Sequence, residues 1–265
     1  KDVATEFVNH RPSDNIGLTL FGGEAFTQCP LTTDHGMLLR ALGNASCELQ
    51  GQGLIQPGTA IGMGLSVSQN SEMLLSRLLS GSTGRFILDA DALTILANWY
   101  AKKSNPLPVF QGQSLILTPH VGEAARLLAC KTEDIQNDRE GAVRRIVERY
   151  RAVVVLKGHH TLVASPSRSE IFMCEAGNPF MAMGGMGDLL SGMIVARWAY
   201  LTHRMPAGTP PGRLAFQAAA SAVWLHATAS DMLVSADEPE DPSLVNTARK
   251  VASLRVKLER EANCG

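Results

Sequence analysis

Short apolar runs alternate with longer segments of helical period along the middle of the chain. Runs of branched and other apolar residues predict buried strands at residues 60–61, 85–88, 114–117 and 153–156. Apolar residues spaced three and four positions apart predict helices at residues 73–79, 92–101 and 123–128, and a longer one from about Asp138. Strands that alternate with helices favour an α/β fold, in which helices cover both faces of a largely parallel sheet.

The two ends of the chain depart from this alternation. At the front, a polar arm is predicted at residues 1–15, a strand at Ile16–Phe21 and a helix at Leu31–Leu42. Later, a hairpin is predicted from Thr161–Ala164 and Glu170–Cys174, followed by helices at Asp188–Leu201, Arg213–Leu233 and Leu244–Ala262. Because no linker divides the chain, residues 1–265 are predicted to form a single domain.

Composition and charge indicate which classes of binding partner and which compartment to expect. Of the 265 residues, 45% are hydrophobic and 18% are charged, which is typical of a soluble protein with a large core. The formal net charge is −1 and no basic block occurs, so neither nucleic acid nor a membrane is expected as a partner. The five cysteines form no C-x-x-C pair, which favours a reducing compartment, cytoplasmic or mitochondrial, over a disulfide framework or zinc site. The chain begins with Lys1, and we expect its authentic start, with any targeting peptide, to precede this residue.

The segment from Ala176 to Ala199, AGNPFMAMGGMGDLLSGMIVARWA, carries the strongest chemical signal. Four glycines and a proline fall within eleven residues, and a helix is predicted to begin near Asp188. A glycine-rich turn before a helix leaves backbone N–H groups directed at one point, and the helix dipole adds positive potential there. This arrangement predicts an anion site, most often for phosphate, beside an Asp188 carboxylate that the same dipole keeps ionised. Such a pair suits phosphate chemistry in which the carboxylate accepts a hydroxyl proton. The alternative is an ordinary glycine-rich loop capped by an aspartate.

Polar or glycine clusters follow four of the predicted strands directly. They are Gly62–Gly64, Asp89–Asp91, Thr118–His120 and Lys157–Thr161. The carboxyl edge of an open parallel sheet is where ligands bind, so these clusters are predicted to converge there with the central loop.

The residues in these clusters also resemble a known family. The segments IGMGL, LDADAL, LTPHVGEAARLL, VVVLKGHHTLVA and AGNPFMAMGGMGDLLSG, in this order, are similar to those of ADP/ATP-dependent NAD(P)H-hydrate dehydratases. That family is the carbohydrate-kinase-like branch of the ribokinase superfamily. The resemblance implies a ribokinase-like, Rossmann-type sheet with C-terminal helices, often in a tetramer. It also implies repair of hydrated NADH or NADPH, in which phosphorylation by the nucleotide makes the ring hydroxyl a leaving group before elimination.

The resemblance further implies a role for individual residues. Asp188 is the catalytic base and contacts the substrate hydroxyl. The transferring phosphate is held by the amides of Gly184, Gly185, Met186 and Gly187, and the adenine nucleotide by Lys157, Gly158, His159, His160 and Thr161. The hydrated dinucleotide is contacted by Gly64, His120 and Asn178. ADP or ATP is the expected cofactor, accompanied by Mg²⁺, and no residue is assigned as a metal ligand. The expected partners are these small molecules, with the chain forming a homo-oligomer or joining a larger assembly.

Several of these residues also have a structural interpretation. Asp91 is expected to cap the helix that follows it, whereas Asp89 and His120 are left open between a structural and a ligand-binding role. Lys157 is alternatively an edge charge, although the glycine beside it favours close approach of a ligand. Met181, Met183 and Met186 are expected to pack around the central loop, and His226 to be a hydrogen-bonded core histidine.

Departures from the family pattern keep other functions open. Gln28-Cys29 stands where the family has Gly-Ala at the start of its first helix, and the span from Gly43 to Thr59 is too short for an additional strand and helix. Met63, Val121 and Met183 replace smaller or cyclic residues. Besides a working dehydratase, the sequence therefore admits an inactive relic that serves as a structural subunit, and a small-molecule kinase of the same superfamily.

Overall fold

The computed structural model describes most of the chain from the third strand onward. The described residues are 9, 16–22, 24–32, 34, 36–37, 39–40, 58–61, 65, 67–80, 84–101, 114–206, 208–235 and 240–263. Near the front, strands β1 (Ile16–Gly22) and β2 (Glu24–Thr32) pair antiparallel. The main sheet has six strands in sequential order: β3 (Gly58–Ile61), β4 (Arg85–Leu88), β5 (Ser114–Leu117), β6 (Val153–Leu156), β7 (Thr161–Ala164) and β8 (Phe172–Cys174).

The main sheet is parallel in its first four strands and antiparallel after them. β3 to β6 run in the same direction, whereas β7 turns back beside β6 and β8 turns back beside β7. This confirms the predicted α/β architecture and the predicted hairpin. From residue 58 onward, the α-helices of the described residues are α1 (Gln69–Ser80), α2 (Ala90–Ala101), α3 (Val121–Leu128), α4 (Thr132–Asn137), α5 (Arg139–Tyr150), α6 (Met186–Arg204), α7 (Pro211–Val234) and α8 (Leu244–Asn263).

Two apolar layers cover the sheet, one on each face. Successive strand side chains point to opposite faces, so Phe86 and Leu88 join the layer that contains α1 to α5. Ile87, between them, joins the layer that contains α6 and α7. All three are buried. Burial on both faces explains why these strands consist of continuous apolar runs. Within the described part of the chain, no helix combines the length and apolar character that a membrane span requires.

The front of the chain differs most from the prediction. β1 confirms the strand at Ile16–Phe21, but β2 was not predicted and occupies Leu31 and Thr32, which were assigned to a helix. Further along that predicted helix, the described residues 36, 37, 39 and 40 are helical, as expected. Pro30 lowers the strand signal because proline cannot donate to a ladder. Gln28 and Cys29 also lie within β2, so the interpretation that places them at the start of a helix is wrong. The arm at residues 1–15, apart from residue 9, lies outside the described residues, and so do residues 43–57 of the span Gly43 to Thr59, whose last two residues begin β3.

Two further differences are local. α4 was not predicted, because Ile135 is its one apolar residue and a single apolar position generates no period. α6 begins at Met186, two residues before the predicted start. Gly185 takes a left-handed conformation with φ of 88° and ends the preceding loop there, so the helix starts inside the glycine cluster.

Candidate active site at the carboxyl edge of the sheet

Backbone hydrogen bonds join the segments that follow β4, β5 and β6. The N–H of Asp89 donates to the carbonyl oxygen of Ile61 at 3.0 Å, and the N–H of Thr118 donates to that of Leu88 at 3.1 Å. The N–H of Lys157 donates to the carbonyl oxygen of Pro119 at 2.8 Å. Three of the predicted polar clusters therefore meet at one edge of the sheet, as expected. The fourth, Gly62–Gly64, lies outside the described residues, so the role of Gly64 stays a prediction.

A buried ion pair lies at this edge. The Asp89 side chain is 4% exposed, and its Oδ1 lies 2.7 Å from Lys157 Nζ. Asp89 Oδ2 accepts a hydrogen bond from the hydroxyl of Ser191, on α6, at 3.1 Å. Glu123 adds a second buried carboxylate, with Oε2 4.0 Å from Lys157 Nζ. Asp89 also accepts from the N–H of Ala90, so it both begins α2 and holds Lys157. These contacts show the structural role, and the ligand-binding role of Asp89 stays a prediction.

The start of α6 lies against this ion pair. A Cβ atom built on Gly187 would lie 3.5 Å from Lys157 Nζ and 3.6 Å from Asp89 Oδ2. The residue that precedes the helix, Gly185, has no side chain to accept hydrogen bonds from the first-turn amides. Nothing lies within 4 Å of the Cβ position of Gly184 among the described residues. The side chain of Leu244, on α8, lies on the other side, with Cδ2 3.2 Å from the Cβ position of Gly185, and the N–H of Met186 donates to the carbonyl oxygen of Met183 at 3.4 Å. The glycine backbone, the helix dipole and an ammonium group therefore meet at a corner that is open at Gly184, as an anion site requires.

Asp188 stands in the first turn of α6 and is exposed to solvent at this corner. Partial loss of hydration raises the pKa of its carboxyl group, the nearby carboxylate of Asp89 raises it further, and Lys157 lowers it in part. The sequence predicted a carboxylate that the helix dipole holds ionised, but the net shift is in the opposite direction. A raised pKa makes Asp188 a better proton acceptor near neutral pH than an ordinary aspartate.

His120 caps the helix α3. Its Nδ1 accepts from the N–H of Gly122 at 3.0 Å and of Glu123 at 3.4 Å, and the Glu123 carboxylate accepts from the His120 N–H at 2.8 Å. This reciprocal capping box shows the structural role that the sequence left open. The side chain is nevertheless 56% exposed, so one edge of the imidazole stays accessible for the predicted contact with a ligand.

The segment Lys157–Thr161 forms a tight turn between β6 and β7. Gly158 has φ of 143° and His160 has φ of 55°, a conformation that residues other than glycine adopt rarely. The Thr161 hydroxyl donates to the carbonyl oxygen of Gly158 at 3.0 Å, and the rings of His159 and His160 stack with centroids 4.0 Å apart. Gly158 and His159 are exposed, so a ligand has access to this turn.

Asn178 connects the central loop to α7. Its Nδ2 donates to Ser230 Oγ at 3.1 Å and to Asp231 Oδ1 at 2.9 Å, while Asp231 Oδ2 accepts from the N–H of Gly177 at 2.7 Å. Both hydrogens of the Asn178 amide group are thus used to hold the loop, and its contact with a ligand stays a prediction. Sequence reasoning missed Ser230 and Asp231, which are adjacent polar residues near the end of α7.

The expectations for the methionines and for His226 are met in part. Met186 is buried and Met181 packs against the layer of α6 and α7, but Met183 is 41% exposed and does not pack as expected. His226 lies in the core as predicted, and burial lowers its pKa to about 4. The prediction that it is hydrogen-bonded is wrong for Nε2, which finds no partner among the described residues.

Comparison with known proteins shows the family to which the chain belongs. A family model described as NAD(P)H-hydrate dehydratase matches residues 52–247. A bifunctional NAD(P)H-hydrate repair enzyme, Nnr, of Vibrio cholerae is 41% identical over 173 residues, which are 65% of this chain and 30% of that protein. An ADP-dependent (S)-NAD(P)H-hydrate dehydratase of Neisseria meningitidis is 41% identical over 175 residues, which are 65% of this chain and 54% of that protein.

A solved structure shares the fold. The ADP/ATP-dependent NAD(P)H-hydrate dehydratase of Bacillus subtilis, co-crystallised with ATP and Mg²⁺, superposes with a TM-score of 0.60 at 25% identity. The match covers 76% of this chain and 66% of that one. The chain thus spans 30% to 54% of the length of the two curated relatives, and the matched region contains every residue of the described corner.

Proposed function

The chain belongs to the NAD(P)H-hydrate dehydratase family, and on this premise we propose that it uses ADP or ATP to dehydrate hydrated NADH or NADPH. One observation carries the proposal. The exposed carboxylate of Asp188 stands on the first turn of α6, beside Lys157 and the glycine backbone of an open anion site. A base and a phosphate site in contact are what transfer of a phosphoryl group to a hydroxyl needs.

In the first step, Asp188 accepts the proton of the ring hydroxyl while the hydroxyl oxygen forms a bond to the terminal phosphorus of the nucleotide. The bond from that phosphorus to the bridging oxygen breaks, and AMP leaves when ADP is used, or ADP when ATP is used. In the second step, the new phosphate ester leaves as phosphate with the electron pair of its carbon–oxygen bond. The ring then loses a proton and regains its double bond. Hydroxide leaves poorly whereas phosphate leaves well, which explains the use of a nucleotide.

The chain's groups have separate tasks in this scheme. The amides of Gly184, Gly185 and Gly187 and the Lys157 ammonium group bind and orient the transferring phosphate, since the N–H of Met186 donates to the carbonyl oxygen of Met183. The turn Lys157–Thr161 binds the adenine nucleotide, and the exposed edge of His120 contacts the hydrated dinucleotide together with Gly64. Asn178 fixes the loop that carries the amides, since its side chain is bound to α7. Asp89 orients the Lys157 ammonium group, since Asp89 Oδ1 lies 2.7 Å from Lys157 Nζ.

The charges at the corner support Mg²⁺ as a companion of the nucleotide. The carboxylates of Asp89, Glu123 and Asp188 outnumber the single ammonium group of Lys157, and a nucleotide adds further negative charge. Within the described part of the chain, no group of three acidic, histidine or cysteine side chains could hold a metal ion. The ion would therefore be held chiefly by phosphate oxygens and water, where it neutralises the charge of the phosphates.

Hydrated NADH, incubated with the protein and either ADP or ATP, is expected to regain the absorbance of NADH, with release of one phosphate per molecule repaired. The reaction with ADP should form AMP, and the reaction with ATP should form ADP. The measurement is absorbance together with chromatography of the nucleotides. Absence of any repair with either nucleotide would contradict the proposal and favour the inactive relic. A phosphorylated sugar or vitamin in a substrate screen would favour the kinase, but the comparisons name dehydratases.

The activity is expected to fall at low pH, as Asp188 becomes protonated, with the midpoint above the ordinary carboxyl pKa of about 4. Asp89→Asn should move this midpoint to lower pH, since the carboxylate that raises the pKa of Asp188 is lost and Lys157, which lowers it, no longer forms an ion pair with Asp89. The pH dependence of kcat measures both midpoints. A midpoint that Asp89→Asn leaves unchanged would mean that Asp188 does not control this part of the profile.

A further inference from the structure

One basic side chain outside the corner contacts the turn that is proposed to bind the nucleotide. Arg139 is the first residue of α5, and its guanidinium group lies beside the turn Lys157–Thr161. Nη2 donates to the carbonyl oxygen of Leu156 at 3.2 Å, and Nη1 donates to the carbonyl oxygen of His159. These two carbonyl groups lie on either side of Gly158. The planar fork of the guanidinium group therefore holds both ends of the sharpest part of the turn.

Arg139 occupies this position against several unfavourable effects. It stands in the first turn of a helix, where the dipole favours acidic side chains and disfavours a cation. Burial lowers the pKa of its guanidinium group, and Nε is buried without a hydrogen-bond partner among the described residues. The contacts with the two carbonyl groups have to offset these costs. Neither solvation nor the helix dipole therefore favours an arginine at this position.

The contact determines which way a peptide group faces. A trans peptide is planar, with its carbonyl and N–H groups on opposite sides. No peptide bond of the described residues is cis, so when the His159 carbonyl accepts from Arg139, the N–H of His160 is directed away from Arg139. His160 has φ of 55°, a left-handed conformation that the surrounding contacts must maintain. Removing Arg139 would release this peptide group to rotate.

Gly158 is matched to the same contact. A Cβ atom added there would lie 3.2 Å from Arg139 Nη2, closer than ordinary contact allows, and the φ of 143° already disfavours a side chain. A side chain at this position would therefore displace the guanidinium group and strain the backbone, whereas glycine does neither.

We infer that Arg139 is a positioning residue for the adenine nucleotide: it clamps the carbonyl groups of Leu156 and His159 and so holds the turn Lys157–Thr161 in the shape that binds the nucleotide. The inference rests on the proposed function, which assigns the nucleotide to this turn. Arg139 does not itself contact the reacting groups. Its effect is on nucleotide affinity and not on the chemical step.

The test is Arg139→Lys, which keeps the positive charge but replaces the fork with a single ammonium group. The KM for ADP or ATP should rise about tenfold, since one charge-assisted hydrogen bond of the pair is lost. The KM for the hydrated dinucleotide and kcat should stay within about twofold of wild type, because Lys157, the residue that the turn shares with the corner, stays held by Asp89 at 2.7 Å. Isothermal titration with ADP measures the same loss of affinity without turnover. A general loss of structure would not separate the two KM values in this way.

Arg144→Lys is the matched control. Arg144 lies on the same helix and also donates to a backbone carbonyl, that of Ser169 at 2.7 Å, but this carbonyl belongs to the turn between β7 and β8. Nucleotide affinity should stay within about twofold of wild type in this variant. If Arg139→Lys does not fold, Gly158→Ala tests the same contact, because the added methyl group would crowd Arg139 Nη2. This variant is also expected to bind ADP more weakly than wild type.

The outcomes distinguish this inference from the proposed function. If the wild-type protein binds neither ADP nor ATP, the proposed function and the inference are both overturned. If the wild type binds and Arg139→Lys binds equally well, the inference alone is overturned. Equal weakening by Arg139→Lys and Arg144→Lys would also overturn it, because the effect would then belong to α5 as a whole.

Discussion

Asp188→Asn is expected to lower kcat by about 10²- to 10⁴-fold, the usual contribution of a positioned general base. Asn has nearly the same shape and can still lie at the start of α6, but it cannot accept the hydroxyl proton. The anion site uses backbone amides and Lys157, which this substitution leaves in place. Affinity for ADP should therefore stay within about threefold of wild type, because only the base is removed. The measurements are kcat with hydrated NADH and isothermal titration with ADP.

Asp91→Asn is the control for this substitution. Asp91 and Asp188 are both acidic residues in the first turn of a helix that begins at the same edge of the sheet. Loss of a first-turn charge costs helix stability in both variants by about 0.3–1 kcal/mol, but the proposed chemistry uses Asp188 alone. Asp91→Asn should keep kcat close to wild type. A kcat for Asp188→Asn within tenfold of wild type, or an equal loss in the two variants, would remove Asp188 from the role of base.

The sequence was sufficient to predict the parallel sheet and the edge at which the site lies. The buried strands are short apolar runs and their helices have a clear period, both of which are local patterns. The site followed from topology, since a residue directly after a parallel strand must lie at its carboxyl edge. For this reason the backbone N–H groups of Asp89, Thr118 and Lys157 all form hydrogen bonds with neighbouring segments at that edge.

The contacts within the site could not be predicted in the same way. Lys157 pairs with Asp89, which is 68 positions away, and Ser191 binds the same carboxylate from 102 positions away. No local sequence pattern encodes such partners. They depend on where the residues that follow β4 and β6 meet the start of α6 in the folded chain. The pKa of Asp188 is raised chiefly by partial loss of hydration and then by the carboxylate of Asp89, both of which depend on the folded structure. The sequence offered only the helix dipole and so indicated the opposite direction. The hairpin β1–β2 was missed for a different reason, which is that proline weakens the strand pattern.

Lys157→Met is expected to lower the free energy of unfolding by about 3 kcal/mol, because it leaves the carboxylate of Asp89 buried without its cation. The Asp89 side chain is 4% exposed and lies 2.7 Å from Lys157 Nζ, so water cannot replace the ammonium group easily. Glu123, with Oε2 4.0 Å from the same ammonium group, loses its cation as well. The hydrogen bonds from Ala90 and Ser191 remain and limit the loss. Urea unfolding followed by circular dichroism measures the change.

Lys250→Met provides the comparison for an exposed pair. Lys250 Nζ lies 2.9 Å from Glu240 Oε1, but the Glu240 side chain is 52% exposed and stays hydrated when its partner is removed. The expected loss is below about 1 kcal/mol, as for other surface ion pairs.

The double variant Asp89→Asn with Lys157→Met should be more stable than Lys157→Met alone, because the buried carboxylate that lacks a cation is then also removed. If the double variant is no more stable than the single one, the buried carboxylate is not the source of the loss. In that case the contacts of Asp89 with Lys157, after β6, and Ser191, on α6, would not stabilise the fold. The position of Lys157 would then be set by the backbone of the turn to which it belongs.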